Sequence, residues 1–143
     1  MDILITNYLQ KTMSDEIIQL FKEIYPDRSI EDAKRMAYEE NRELHVSTQV
    51  AIVDGKMVGQ ANVFRLANEP RIANLGYHVH PDYRQRGIAA KLSSVAIEYA
   101  KNSGVKILIV QTEASNQAAI NLAKKLEFKK PSIVFLREYA DRL

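Results

Sequence analysis

The run Val79-His80-Pro81-Asp82-Tyr83-Arg84-Gln85-Arg86-Gly87-Ile88-Ala89-Ala90 carries the clearest chemical signal in the chain. One glycine and two small residues stand where an extended apolar pattern gives way to a helical one. Small residues let a ligand approach the backbone closely. The first N–H groups of a helix lack intrahelical acceptors and lie at its positive end. A diphosphate seated there would collect several charge-assisted hydrogen bonds, and Arg84 and Arg86 add positive charge beside it. The plainer alternative is an ordinary strand-to-helix turn with two surface arginines. A Walker loop is excluded, because no Gly-Lys-Ser/Thr run exists. A single glycine is also too few for a dinucleotide fingerprint.

Other elements must hold this turn in place. Asp2 to Leu9 alternates as a short strand. A helix follows, capped by Thr12 or Ser14, with Ile17, Leu20, Phe21 and Ile24 on its apolar stripe, and Pro26-Asp27 breaks it. Ser29 with Asp32 resembles a capping box for a second helix. Gln49 to Val53 and Lys56 to Phe64 flank Asp54-Gly55, a hairpin signal. After a turn at Ala67 to Pro70, Arg71 to His80 reads as a strand. Ala73, Leu75, Tyr77 and Val79 lie on one face, with Ile72, Asn74, Gly76, His78 and His80 on the other; Pro81 ends it. The helix from Gly87 has Ile88, Leu92, Val95, Ala96 and Tyr99 in register. Val105 to Val110 reads as a strand covered on both faces. A helix from Asn116 and a strand from Ser132 to Tyr139 complete the order β-α-α-β-β-β-α-β-α-β. That order implies one domain over 1–143, an α/β (α+β) mixed sheet flanked by helices.

Composition narrows the function classes. The chain has 143 residues, no cysteine and a net charge of +2. Thiolate metal sites, disulfides and a cysteine nucleophile are therefore excluded. The charge is too mild to indicate nucleic acid. No apolar run approaches the roughly 20 residues of a membrane span, and the N-terminus lacks signal-peptide features, so the cytoplasm is the expected location. His78 and His80 share a face, but zinc needs three or four ligands and no cluster stands near them. Tyr25, Tyr38, Tyr77 and Tyr83 suit either a pocket lining or a core edge, and Glu113 either a cation contact or a solvated loop. Asn116 alone would be a helix cap.

Arg84-x-x-Gly87-x-Ala89, with its Val-His-Pro-Asp-Tyr-Arg lead-in, resembles the acetyl-CoA signature of the GNAT acetyltransferases. The apolar strand followed by Asn116, Ala119, Leu122, Leu126 and Phe128 is similar to that family's second cofactor motif, and the strand order agrees along nearly the whole chain. The resemblance implies the acyl-CoA N-acyltransferase fold, a largely antiparallel sheet whose central parallel pair splays at the cofactor site. It implies acetyl-CoA as co-substrate. Tyr77, His78 and Val79 would line the pantetheine arm by main chain. Arg84, Gln85, Arg86, Gly87, Ile88, Ala89 and Ala90 would hold the pyrophosphate, and Asn116 would touch the coenzyme. A backbone N–H near Tyr77 would stabilise the oxyanion.

The chain departs from the family pattern at three places. The usual glutamate positions hold Ala73 and Asn74, which leaves His78 as the nearest titratable candidate for general base; its alternative is a half-buried strand histidine. The usual tyrosine position holds Ala123, and Glu127 replaces the glycine before Phe128. The expected activity is direct transfer of acetyl to a primary amine of a small molecule or peptide, without nucleic acid or membrane partners. The acceptor is unidentified, its pocket assigned to Tyr25 to Leu44 and the 67–70 loop, and a homodimer is compatible with the sequence. Two other classes compete: a non-catalytic CoA-binding module, and a nucleic-acid binder using Arg84, Arg86, Lys124, Lys125, Lys129 and Lys130.

Overall fold

The computed structural model describes residues 1–37 and 43–132. Five strands form one sheet in sequential order: β1 (Leu4–Asn7), β2 (His45–Val53), β3 (Lys56–Leu66), β4 (Glu69–Val79) and β5 (Ile107–Val110). The first four are antiparallel neighbours, and β4 pairs with β5 in parallel. Helices α1 (Gln10–Ile24) and α2 (Ile30–Ala37) lie between β1 and β2 in sequence. Helix α3 (Ile88–Asn102) is the β4–β5 crossover, and α4 (Gln117–Lys125) follows β5. This is the mixed sheet expected from the sequence. The proposed strand from Ser132 to Tyr139 lies outside the described residues except for Ser132, as does Tyr38. Among the described residues, no helix is long and apolar enough to cross a membrane.

Alternation in the strands divides the core in two. On one face Ala51, Val53, Val58, Ala61, Val63, Ala73, Leu75 and Val79 pack against Ile88, Leu92, Ala96 and Ala100 of α3. On the other, Val50 and Met57 pack against Ile17, Leu20 and Phe21 of α1 and Ala33 of α2. The β2–β3 hairpin turns through Asp54 (φ 49°) and Gly55 (φ 77°), both left-handed as the Asp-Gly pair requires.

Several boundaries and faces differ from the sequence reading. Helix α1 begins at Gln10 with Leu9 at its cap and no side-chain cap, so neither Thr12 nor Ser14 starts it. Ser29 does cap α2, accepting from Asp32 N–H at 3.1 Å. The buried row of α3 runs Ile88, Leu92, Ala96, Ala100, each four residues on. Val95 and Tyr99 fall off that row and are 40% and 44% exposed. Strand β5 is also less covered than its apolar run suggested. Ile107 is 56% exposed, because β4 is its one ladder partner among the described residues.

Glycine at position 59 lets α3 sit tightly on the sheet. A Cβ built there would stand 2.9 Å from Leu92 Cδ1 and 3.2 Å from Ile88 Cγ2. This contact sets the height of the first turns of α3 above β3, and therefore the position of the turn that precedes them.

Candidate active site

Strand β4 outruns its parallel neighbour. Ile72 to Leu75 pair with Ile107 to Val110, whereas among the described residues Gly76 to Val79 pair with β3 alone. In a strand, a residue's N–H and C=O point to the same side, and successive residues alternate. Lys106 N–H donates to Arg71 C=O, and His80 N–H donates to Val58 C=O. Odd-numbered residues of β4 therefore direct their main chain toward β5 and even-numbered ones toward β3. Tyr77 and Val79 face the gap beyond the end of β5. Val79 C=O accepts from Arg84 Nε at 3.1 Å, which leaves the Tyr77 groups and Val79 N–H facing the gap. His78 main chain points to β3, away from it.

Beyond the gap, Pro81–Tyr83 forms a 3₁₀ turn, and Gln85 and Gly87 take left-handed conformations at φ 62° and 79°. Gly87 is the N-cap of α3 and supplies no side-chain cap. The opening N–H groups of α3, from Ile88 to Ala90, are thus the orphan donors that any helix start possesses. A Cβ at Gly87 would meet nothing within 4 Å, so the space over this turn is open. The arginines are partly committed: Arg84 to Val79, while Arg86 lies over the Tyr83 ring at 5.3 Å. The result is a cup of backbone donors beside an unpaired strand edge, suited to an anion joined to an extended, amide-bearing arm.

The side chains of β4 reach opposite faces. Tyr77 packs at the rim of the α3-side core, where burial pushes its hydroxyl pKa up. His78 lies on the α1 side. Its ring meets Phe21 edge-on at 5.0 Å, and Nδ1 is 3.0 Å from the Tyr25 hydroxyl. Burial holds the imidazole pKa below its ordinary range, so the ring is neutral at pH 7. Gln60 stands in register beside it on β3, 3% exposed, its buried Oε1 without a partner among the described residues.

His80, set aside as a possible metal ligand, has a different role. Nδ1 accepts from Asp82 N–H at 3.1 Å, which places the proton on Nε2, 3.3 Å from Glu23 Oε2. Glu23 also receives Lys56 Nζ at 3.3 Å. His80 therefore ties α1 to the turn before α3. Sequence could not have shown the Glu23–His80 and Tyr25–His78 contacts, since each joins residues more than fifty positions apart.

Asn116 caps α4, its side chain accepting from Ala119 N–H at 3.1 Å. The carbonyl oxygen is thus engaged, and the amide NH₂ is left for any ligand. Ala123 is half-buried in α4 and supplies no phenol. Glu127 has φ 68°. Phe128 N–H donates to Ala123 C=O and Glu127 N–H to Lys124 C=O, a Schellman ending for α4. The position where the family pattern has glycine is thus the left-handed one, and glutamate occupies it under strain.

Residues 13–128 match the model of the Acetyltransferase (GNAT) family. The L-amino acid N-acyltransferase MnaT of Escherichia coli is 28% identical over 73% of this chain and 63% of its own length. An uncharacterized N-acetyltransferase of Methanocaldococcus jannaschii is 41% identical over 39% of this chain, covering 25% of that protein. The chain thus spans less than two-thirds of the curated relatives it matches. Among solved structures, AAC(6')-Iy in complex with the bisubstrate analogue CoA-S-monomethyl-acetylneamine superposes with a TM-score of 0.73. Its identity is 20%, with 97% of this chain and 99% of that one covered.

Proposed function

The chain belongs to the GNAT acetyltransferase family, and from that premise we propose that it is an N-acetyltransferase, a single domain over 1–143 that moves acetyl from acetyl-CoA to a primary amine. The observation that carries this reading is the pairing of the free β4 edge at Tyr77 and Val79 with the uncapped start of α3 at Gly87. The backbone donors from Gln85 to Ala90 hold the pyrophosphate, with Arg84 and Arg86 beside it and the Asn116 amide nearby. The β4 edge pairs with the pantetheine arm. Tyr77 N–H receives the thioester oxygen as it gains negative charge. The amine nitrogen attacks the carbonyl carbon from the α1 side, the carbon–sulfur bond breaks, and the electron pair leaves with sulfur. His78 takes up the proton that the ammonium loses before attack, for which a neutral imidazole at pH 7 is in the right state. The proton that the nitrogen sheds as the amide forms goes to the departing thiolate.

The acceptor class is a small-molecule or peptide amine. MnaT bears on amino acids and the superposed AAC(6')-Iy complex on an aminoglycoside-derived amine. One observation favours a second reading, a CoA-binding module without turnover. Ala73, Asn74 and Ala123 place neither acid nor base where relatives carry them.

Calorimetry with CoA and acetyl-CoA tests the premise, and a panel of amines with thiol release separates the two readings. Gly87→Glu should abolish CoA binding by setting a carboxylate in the cup. Gly87→Ala is the control, since it carries the same left-handed strain without the charge. No heat and no thermal stabilisation with millimolar CoA would end the acetyltransferase reading.

A further inference from the structure

Geometry on the α1 face distinguishes which group meets the acceptor from which group finally holds its proton. Tyr25 is the residue after α1. Its N–H donates to Phe21 C=O at 2.9 Å, and its C=O accepts from Arg28 N–H at 3.1 Å. Its ring lies parallel to Phe21 at 6.5 Å with the Arg28 guanidinium 5.4 Å from its centre. Phe21 also meets the edge of His78. Both rings are thereby fixed, with the Tyr25 hydroxyl across Nδ1 at 3.0 Å. Tyr25 belongs to the α1–α2 connection, whereas His78 lies behind it on the sheet.

We propose that Tyr25 is the catalytic residue that touches the acceptor amine, and that it relays the amine's proton to Nδ1 of His78. This rests on the reading of His78 as base. A bare Nδ1 is a strong acceptor and a phenol the better donor of the pair, so Tyr25 O–H donates and His78 carries its own proton on Nε2. Gln60 stands in register with His78, but its buried Oε1 has no hydrogen-bond partner among the described residues, so the tautomer rests on the Tyr25 contact. The lone pair on Nδ1 is covered by the hydroxyl, so a proton reaches it through that hydroxyl. As the ammonium N–H bond breaks, Tyr25 Oη takes that proton and its own proton passes to Nδ1. A neutral amine and an imidazolium result, with no electrons gained or lost. The groups facing His78 are Phe21 from α1, Tyr25 from the α1–α2 connection and Gln60 from β3. Among the described residues no charged side chain acts on the ring, and Glu23 on α1 is engaged by His80 and Lys56.

An arm without acceptor uses ¹⁵N-histidine-labelled protein. His78 Nδ1 should resonate as an unprotonated, hydrogen-bonded nitrogen and should move downfield in Tyr25→Phe. A protonated Nδ1, or a resonance indifferent to Tyr25→Phe, overturns the relay. If Tyr25→Phe fails to fold, Tyr25→3,5-difluorotyrosine keeps ring and hydroxyl, and its stronger donor should shift Nδ1 the opposite way; no shift overturns the relay. The kinetic arm uses acetyl-CoA with L-methionine sulfone and with sisomicin, following CoA affinity in parallel. Tyr25→Phe and His78→Gln should each lower kcat by about 100-fold. CoA binding should be unchanged, and the double variant should be no slower than either single one. Effects that multiply, or a Tyr25→Phe enzyme within twofold of wild type beside a slow His78→Gln, overturn the relay and leave His78 as a direct base. Wild-type kcat in both single variants removes the base reading and the relay with it.

Discussion

Substituting Gly59 by alanine perturbs the packing on which the turn before α3 depends. The new methyl would stand 2.9 Å from Leu92 Cδ1, 3.2 Å from Ile88 Cγ2 and 3.4 Å from His78 C=O. Carbon atoms prefer separations of about 3.5–4.0 Å, so Leu92 or the helix must retreat by roughly 0.5–1 Å. Leu92 and Ile88 are 0% and 1% exposed, which leaves little room for a rotamer change. Overpacking of this kind costs about 1–3 kcal/mol. Restricting the unfolded chain returns about 0.4–1 kcal/mol, leaving a net loss of about 1–2 kcal/mol. At this chain length that corresponds to a fall of roughly 3–8 °C in Tm, read by scanning calorimetry. Leu92→Val removes the clashing atom, so the double variant should be more stable than the sum of the single effects by about 1 kcal/mol. CoA affinity should fall in Gly59→Ala and recover in the pair. A Gly59→Ala protein as stable as wild type, or more so, would refute the close approach of α3 to β3.

Two further outcomes follow from local conformation and burial. Glu127→Gly should stabilise the protein by about 0.5–1 kcal/mol in urea unfolding, because glycine occupies the left-handed region freely and its extra unfolded-state entropy offsets only part of the gain. The pKa of His78 is lowered on folding by burial, so below about pH 6.5 the unfolded chain binds a proton that the folded chain refuses. This contribution is fully present above that pH and is lost as pH falls toward the folded value. The urea midpoint of wild type should therefore drop faster between pH 7 and 5 than that of His78→Gln.

The parts of this fold legible in the sequence are those governed by short-range physics. Asp54-Gly55 demands left-handed residues and gives the hairpin, Pro81 ends β4, and Ser29 caps α2. The two faces of β4 follow from strict alternation, and Gly87 marks the start of α3. Less legible was anything decided by packing. The α3 stripe could include Val95 and Tyr99 by helical spacing, yet Gly59 pulls the helix down along the row from Ile88 to Ala100 instead. Leu9 stands at the N-terminal cap of α1 although its side chain cannot cap it, because the buried row Ile17, Leu20 and Phe21 stabilises the helix beyond its best local start. At the site, the turn from Arg84 to Ala90 was readable as a motif. The directions of the Tyr77 and Val79 main chain required the ladder with β5. His78 was visible as a titratable residue, but its partner Tyr25 lies on another element.

The sequential order of the sheet bears on how the protein folds. Strands β2, β3 and β4 are joined by tight turns, so their pairings close short loops and carry little entropic penalty. The β4–β5 ladder must wait for the whole of α3 to cross over, and parallel pairing across such a distance is intrinsically slow. That ladder is four residues long, from Ile72 to Leu75. The gap beyond β5 thus opens beside one of the two non-local pairings among the described strands, the other being β1 with β2, whereas the β2–β3–β4 meander can assemble early on its own.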